Sequence, residues 1–357
     1  MEDGSWSGSW VFPCSGWNVA ERARWNPVAL GEWALVAGLF TLLAWLPEGA
    51  AYAAGEGIAR FAFRVDRRHR GIALENLVRA FPDAGRTGGL EELAGAVFEN
   101  LGRTAVDVAR AGRLLRRAGP AIFQMDGLER MVEARARGKG VLVLTAHFGP
   151  WELLPLSGAL HYGPIHVVAR PMDNPWLDDW LTALRERGGN HVIRKRDAVQ
   201  AILQVLRRGE TVGILIDQHV SEREGVVVPF FGRPASAMAG PALLALRSGA
   251  AVLPVGITRS GRGRYRVDIR PEVSVRRSGD LKVDLVENTA QFTAAIEAII
   301  RERPDHWFWV HRRWKTEQPL DPRLPSHDLM GRSPGQAPSH QDTAFPAGAP
   351  ASAPPDG

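Results

Sequence analysis

From about residue 120 onward, short β-branched apolar runs alternate with amphipathic helical patterns, and this alternation is the feature that most limits the fold. The strand candidates are Gly140–Ala146, Ile165–Ala169, Thr211–Ile216, Val226–Phe230 and Ala251–Thr258. Helical spacing falls between them at Pro150–Leu160, Trp176–Arg187, Ala198–Arg208 and Ala239–Arg247, with one more helix over 285–302. Runs apolar on both faces belong to strands covered on both sides, and intervening helices supply the covers. The expected fold is therefore α/β, a mostly parallel central sheet with helices on both faces.

The chain ahead of this unit reads differently. Residues 1–27 form an irregular leader, and residues 28–118 an apolar anchor followed by helices such as the one carrying Ile72, Leu74, Leu77, Val78 and Phe81, ended by Pro82. Val28–Leu46 is apolar except for Glu32, and Trp33 and Trp45 lie near its ends. Its length suits either a bilayer span or a helix lying in the interface. Arg60, Arg64, Arg67, Arg68 and Arg70 follow it, as a basic flank does on the cytoplasmic side of an anchor. The α/β unit occupies 119–315. From Thr316 to Gly357 the composition turns to Pro, Ala, Ser and Gly, with nine of the 25 prolines, and disorder is expected there.

Charge and cysteine content exclude several classes. The formal net charge of +5 is a modest excess that suits an anionic lipid or phosphorylated substrate and gives no footprint for nucleic acid. Cys14 is the only cysteine, so one chain has neither a disulfide framework nor a cysteine zinc site. No G-x-S-x-G elbow, H-E-x-x-H, Walker A loop or G-x-G-x-x-G is present. No metal or redox cofactor is implied.

What remains is a histidine with a carboxylate five residues later. With ten histidines and 39 acidic residues in 357, about one such pair is expected by chance, and the chain has two. His219/Glu224 lies in a charged loop without a helix start. Between His147 and Glu152 stand Phe148-Gly149-Pro150-Trp151, a turn residue followed by a proline suited to open a helix. Glu152 is then expected in a first helical turn, within hydrogen-bond reach of a strand-end His147. A carboxylate on one imidazole nitrogen fixes the tautomer, and the other nitrogen accepts the proton of an attacking hydroxyl.

The stretch from about Arg70 to Lys315 resembles the bacterial lipid A biosynthesis (lauroyl/myristoyl) acyltransferases, a branch of the lysophospholipid acyltransferase-like superfamily with an H-x4-D/E motif. The residues carrying the resemblance are Glu75-Asn76-Leu77 with Phe81-Pro82, Thr145 to Glu152, and Arg170-Pro171-Met172-Asp173-Asn174-Pro175. They continue with Asp217-Gln218, Pro229-Phe230-Phe231-Gly232-Arg233-Pro234-Ala235, and Trp307 to Lys315. His219 stands where an acidic residue often follows Asp-Gln, and Met238-Ala239 replaces hydroxyl residues.

The resemblance implies His147 and Glu152 as the catalytic pair and a substrate-binding set of Arg170, Asp217, Gly232 and Arg233. Arg170 suits a substrate phosphate, an oxyanion or a structural ion pair. Asp217 either orients a polar ligand or braces the site. Gly232 is expected to permit close approach and Arg233 to offer a charge, while Arg194, Lys195 and Arg196 form a basic run. The implied reaction moves a fatty acyl group from an acyl thioester, acyl carrier protein before CoA, to a hydroxyl of a lipid A precursor. The implied partners are that donor, an anionic glycolipid and a membrane surface, with the catalytic domain facing the cytoplasm at the inner membrane. An acyl-CoA-dependent enzyme acting on a phosphatidylinositol mannoside is the nearest rival, followed by a hydrolase using water and an inactive membrane scaffold.

Overall fold

A computed structural model of the chain describes residues 26–84, 89–194, 198–221 and 225–315. Cys14, Lys195, Arg196, Glu224, the leader before Asn26 and the tail from Thr316 lie outside the described residues.

Four helices come first: α1 (Pro27–Trp45), α2 (Glu48–Val65), α3 (Arg67–Ala80) and α4 (Leu90–Ala118). The side chains of Asn26 and Asp66 accept backbone N–H groups at the starts of α1 and α3, satisfying donors a helix start leaves open. Where α2 crosses α4, Gly55 and Gly102 meet. A methyl group on Gly102 would lie 2.3 Å from the Gly55 carbonyl oxygen, so the backbones touch there directly.

The α/β unit then runs β1 (Phe123–Asp126), α5 (Leu128–Ala136), β2 (Val141–Thr145), α6 (Leu154–His161), β3 (Ile165–Ala169) and α7 (Pro175–Arg185). It continues with β4 (His191–Arg194), α8 (Ala198–Arg207), β5 (Thr211–Leu215), β6 (Gly225–Phe230), β7 (Arg233–Met238) and α9 (Gly240–Ser248). The last elements are β8 (Ala251–Gly261), β9 (Arg264–Ile269) and α10 (Leu281–Glu302). Seven strands form one sheet in the order β1-β9-β8-β2-β5-β3-β4. The five from β8 to β4 are mutually parallel, whereas β9 turns back antiparallel on β8 and carries β1 alongside it.

The fold class read from the sequence is the observed one. Every residue of β2 is buried, and alternate residues enter different cores. Leu142 and Leu144 pack with α8, α9 and α10, while Val141 and Val143 pack with α4, α5 and α7. One strand expectation needs correction in its placement. Val226–Phe230 is a strand but lies outside the central sheet, paired antiparallel with β7 in a separate hairpin. Its tip is Phe231-Gly232, with φ of +52° and +71°, the doubly left-handed turn that suits the twist of a tight hairpin.

Candidate active site

The site is set by register between two central strands. Thr145 of β2 pairs with Leu215 of β5, so two further residues bring His147 and Asp217 side by side at the carboxyl ends. Ligand crevices of open α/β sheets form at this edge. The His147 backbone N–H donates to Asp217 Oδ2 at 3.0 Å, and its Nδ1 lies 2.9 Å from Oδ1. The Trp307 indole N–H donates to Oδ2 at 2.7 Å.

The Asp217 side chain is fully buried. Burial favours its neutral form, yet the adjacent His147 charge and hydrogen bonds hold the carboxyl far below the usual carboxylate range. An ionised carboxylate only accepts, so Nδ1 carries the imidazole proton and Nε2 is left as the acceptor. Burial alone would lower the proton affinity of His147. The Asp217 carboxylate outweighs it, Glu152 adds to that pull, and the net shift is upward from 6.5. The ring keeps 23% exposure and packs beside both Trp151 and Phe308, at centroid distances of 5.4 and 6.0 Å. The Gln218 amide stands 3.5 Å from Nε2, longer than a normal hydrogen bond.

Glu152 is placed otherwise than its spacing implies. Pro150 adopts φ −83° and ψ 57°, a short 3₁₀ turn covers Trp151–Leu153, and the α-helix begins only at Leu154. Both Glu152 oxygens face Arg185, the last residue of α7, with Nε to Oε2 at 2.8 Å and Nη2 to Oε1 at 2.6 Å. The Trp151 indole N–H adds a third donor at 3.1 Å. Such a bidentate fork is the strongest geometry open to a carboxylate and guanidinium. The expected hydrogen bond from Glu152 to His147 is absent among the described residues. Asp217 occupies Nδ1, and Glu152 acts on the ring through its charge.

The loop after His147 is clamped by the C-terminal segment. Phe308 N–H donates to the His147 carbonyl at 3.0 Å, and Gly149 N–H to the His306 carbonyl at 2.8 Å. Gly149 has φ +57°, and a Cβ there would lie 2.1 Å from the Ile257 carbonyl oxygen. Gly149→Ala therefore combines a left-handed backbone penalty with a backbone clash that no rotamer relieves. A loss of about 2–4 kcal/mol is expected in denaturant unfolding, with reduced activity from the displaced His147. The same segment gathers other sequence motifs. Asn76 Nδ2 donates to the Trp309 and His311 carbonyls, Phe81 packs on Phe231 and Trp309, and buried Arg313 lies over the Phe230 ring.

The remaining substrate-set residues scatter. Arg170 is exposed just past β3 and has no ion-pair partner among the described residues. Asp217 is walled in behind His147, which agrees with bracing the site and leaves no face for a ligand. Gly232 and Arg233 sit at the β6–β7 turn. A Cβ on Gly232 would meet nothing within 4 Å, so its positive φ explains the glycine where close approach does not. Arg233 Nε donates to the Arg79 carbonyl. Arg194 ends β4 and pairs with Asp178 at 2.8 Å. Sequence spacing missed Arg185, whose partner lies 33 residues away, and the Trp307 indole, 90 residues from Asp217.

Residues 21–316 match the family model described as bacterial lipid A biosynthesis acyltransferase. The chain is 29% identical over 296 residues to a lipid A biosynthesis lauroyltransferase of Escherichia coli K12, covering 78% of this chain and 90% of that one. It is 28% identical over 296 residues to a phosphatidylinositol mannoside acyltransferase of Mycobacterium tuberculosis CDC 1551, covering 79% and 88%. A palmitoleoyltransferase of lipid A biosynthesis from E. coli K12 is 29% identical over 199 residues, 54% of this chain and 62% of that one.

Proposed function

The chain belongs to the bacterial lipid A biosynthesis acyltransferase family, and on that footing we propose that it carries a fatty acyl group from acyl carrier protein to a hydroxyl of a lipid A precursor. That it is an acyltransferase acting on a glycolipid follows from the family and from relatives of both kinds. The donor, the acceptor and the residue roles are the proposal.

One observation carries the mechanism: an ionised, buried Asp217 holds the His147 Nδ1 proton and leaves Nε2 free at a partly open face. The acceptor hydroxyl gives its proton to Nε2 as its oxygen attacks the thioester carbonyl carbon. The tetrahedral oxyanion then reforms the carbonyl, the carbon–sulfur bond breaks, and the leaving thiolate takes the proton back from the imidazolium. No acyl-enzyme forms, so no serine or cysteine nucleophile is required. Asp217 and the Arg185-seated Glu152 both stabilise the transient imidazolium. Arg170, exposed past β3 on the far side of β5 from His147, is suited to a substrate phosphate or an oxyanion.

A second reading is favoured by the mannoside-acyltransferase relatives, which match over a similar length. In it the donor is acyl-CoA and the acceptor a phosphatidylinositol mannoside. Mass spectrometry of lipids incubated with the purified full chain separates the two. Gain of one acyl chain on a lipid A precursor from acyl carrier protein is expected. Gain only on the mannoside from acyl-CoA would establish the second reading, and free fatty acid without lipid product would mean hydrolysis. The acceptor is a lipid, and the apolar α1 suits the cytoplasmic face of the inner membrane as the place of work.

A further inference from the structure

Helix α1 has the length and composition of a membrane span, 19 residues with mean hydropathy 1.7. At 1.5 Å per residue it measures about 28 Å, close to a bilayer's hydrocarbon thickness. Its contacts nevertheless tie both of its ends to the folded domain. Near the start, buried Asn174 donates to the Ala29 carbonyl at 2.8 Å and to Glu32 at 3.1 Å, while its own oxygen caps α7. Midway, Trp33 lies on Trp176 and Phe40 stands edge-on to Trp180, at 5.7 and 5.0 Å. At the finish, buried Arg110 of α4 donates to the carbonyls of Leu43, Ala44 and Leu46, and Arg113 to those of Ala44 and Trp45. These two arginines cap a helix end that has no basic residue of its own.

A helix held at both ends cannot cross a bilayer without drawing its holders through with it. α7 carries Asp178 and Asp179, and α4 carries Arg110 and Arg113, charges that hydrocarbon excludes. The face turned away from the domain is apolar and open: Val28, Leu35, Leu42 and Trp45 are 64, 75, 56 and 79% exposed. Their spacing of seven, seven and three residues lays them in one stripe along the helix. α2, joined through Leu46-Pro47, exposes Ile58, Phe61 and Val65 together with Arg60 and Arg64, and Arg67 and Arg68 follow. Apolar side chains mixed with arginines match the boundary between acyl chains and anionic headgroups.

We propose that α1 lies in the membrane plane as a one-leaflet anchor on an anionic bilayer, clamped lengthwise to the catalytic domain. The proposal rests on the lipid-acceptor reading only for why the enzyme meets a membrane. It gives the Arg170–Pro175 motif a task, since Asn174 fastens the start of α1 five residues past the end of β3. The carboxyl edge that carries His147 therefore shares a side of the domain with the anchor, and the acceptor hydroxyl reaches the site without leaving the leaflet.

Labelling with a membrane-impermeant maleimide tests the arrangement. Cys14, the only native cysteine, precedes α1. A reporter on the catalytic domain is Lys282→Cys in a Cys14→Ser background. In-plane anchoring puts both on the cytoplasmic side, so both label in inverted vesicles and neither in right-side-out vesicles. Cys14 labelling from the opposite side to Lys282→Cys would show that α1 spans and would overturn the proposal. Should Cys14 stay unreactive in detergent, Ser7→Cys replaces it. Co-sedimentation supplies the second arm. Binding to phosphatidylcholine vesicles should rise at least several-fold with added phosphatidylglycerol, and Arg64→Glu with Arg68→Glu should abolish the rise. Equal binding to both vesicle types would overturn the charged part of the surface. Neither arm depends on acyl-transfer products, so a failed assay of the acceptor leaves this result standing.

Discussion

Replacing His147 by alanine is expected to lower acyl transfer by about 10²–10⁴, the range that a positioned general base contributes. In the proposed mechanism the imidazole is the group on which the proton movements converge, with Nε2 the acceptor that the Asp217 contact at Nδ1 leaves over. The protein should remain folded. Asp217 keeps the His147 backbone N–H and the Trp307 indole, so the stability cost is that of one missing partner to a buried carboxylate, about 1–3 kcal/mol. Circular dichroism and denaturant unfolding check this beside initial rates. A folded variant with near-normal rate would end the general-base reading. The unmodified enzyme adds a pH signature. A general base at His147 would work deprotonated, and its proton affinity is raised, so the acid limb of kcat/KM should lie above 6.5. Stability moves in the opposite sense. The raised histidine contributes fully below its unfolded value and loses that contribution as pH rises through the folded one. The depressed Asp217 contributes above the ordinary carboxylate range and loses its share only in strong acid.

The central sheet was legible because its signal is local. β2, β5 and the first part of β8 are apolar runs whose burial on both faces is written into consecutive residues, and β3 is apolar but for His166. Weaker elements escaped. β7 is Arg-Pro-Ala-Ser-Ala-Met, with neither β-branched nor aromatic residues, and its strand character comes from pairing with β6. β9 carried a period-two signal in Tyr265, Val267 and Ile269, all buried, that a search for continuous apolar runs passes over. Within the site, His147 was legible from its strand end and from the Gly-Pro turn after it. Its hydrogen-bonded carboxylate was not. Asp217 meets His147 through the register of β2 with β5, a long-range pairing that no local spacing encodes. Glu152 satisfied the spacing, but Pro150 leaves the helical region and the chain turns Glu152 toward Arg185.

This division between the two carboxylates sets the second large expected effect. Asp217→Asn should cost about 10²–10⁴ in kcat/KM, because a neutral amide neither enforces the Nδ1–H tautomer nor stabilises the imidazolium. The acid limb should move with it. Without the Asp217 charge, the burial that already opposes protonation of His147 prevails over the remaining pull of Glu152, so the limb shifts down. Lower rate with a downward-shifted limb is a combination that simple unfolding does not give. Glu152→Gln should behave differently. It breaks the fork to Arg185 and removes a weaker, through-space charge, so the limb moves down less and the rate falls less than for Asp217→Asn. Rates measured from pH 5 to 9 for both variants, alongside their unfolding midpoints, decide the matter. If Glu152→Gln is the more damaging and moves the limb further, Glu152 turns to His147 when substrate binds, and the pair implied by the five-residue spacing is the one that works. If Asp217→Asn dominates, catalysis depends on the carboxylate supplied by strand register, with Glu152 held in reserve as a charge beside the ring.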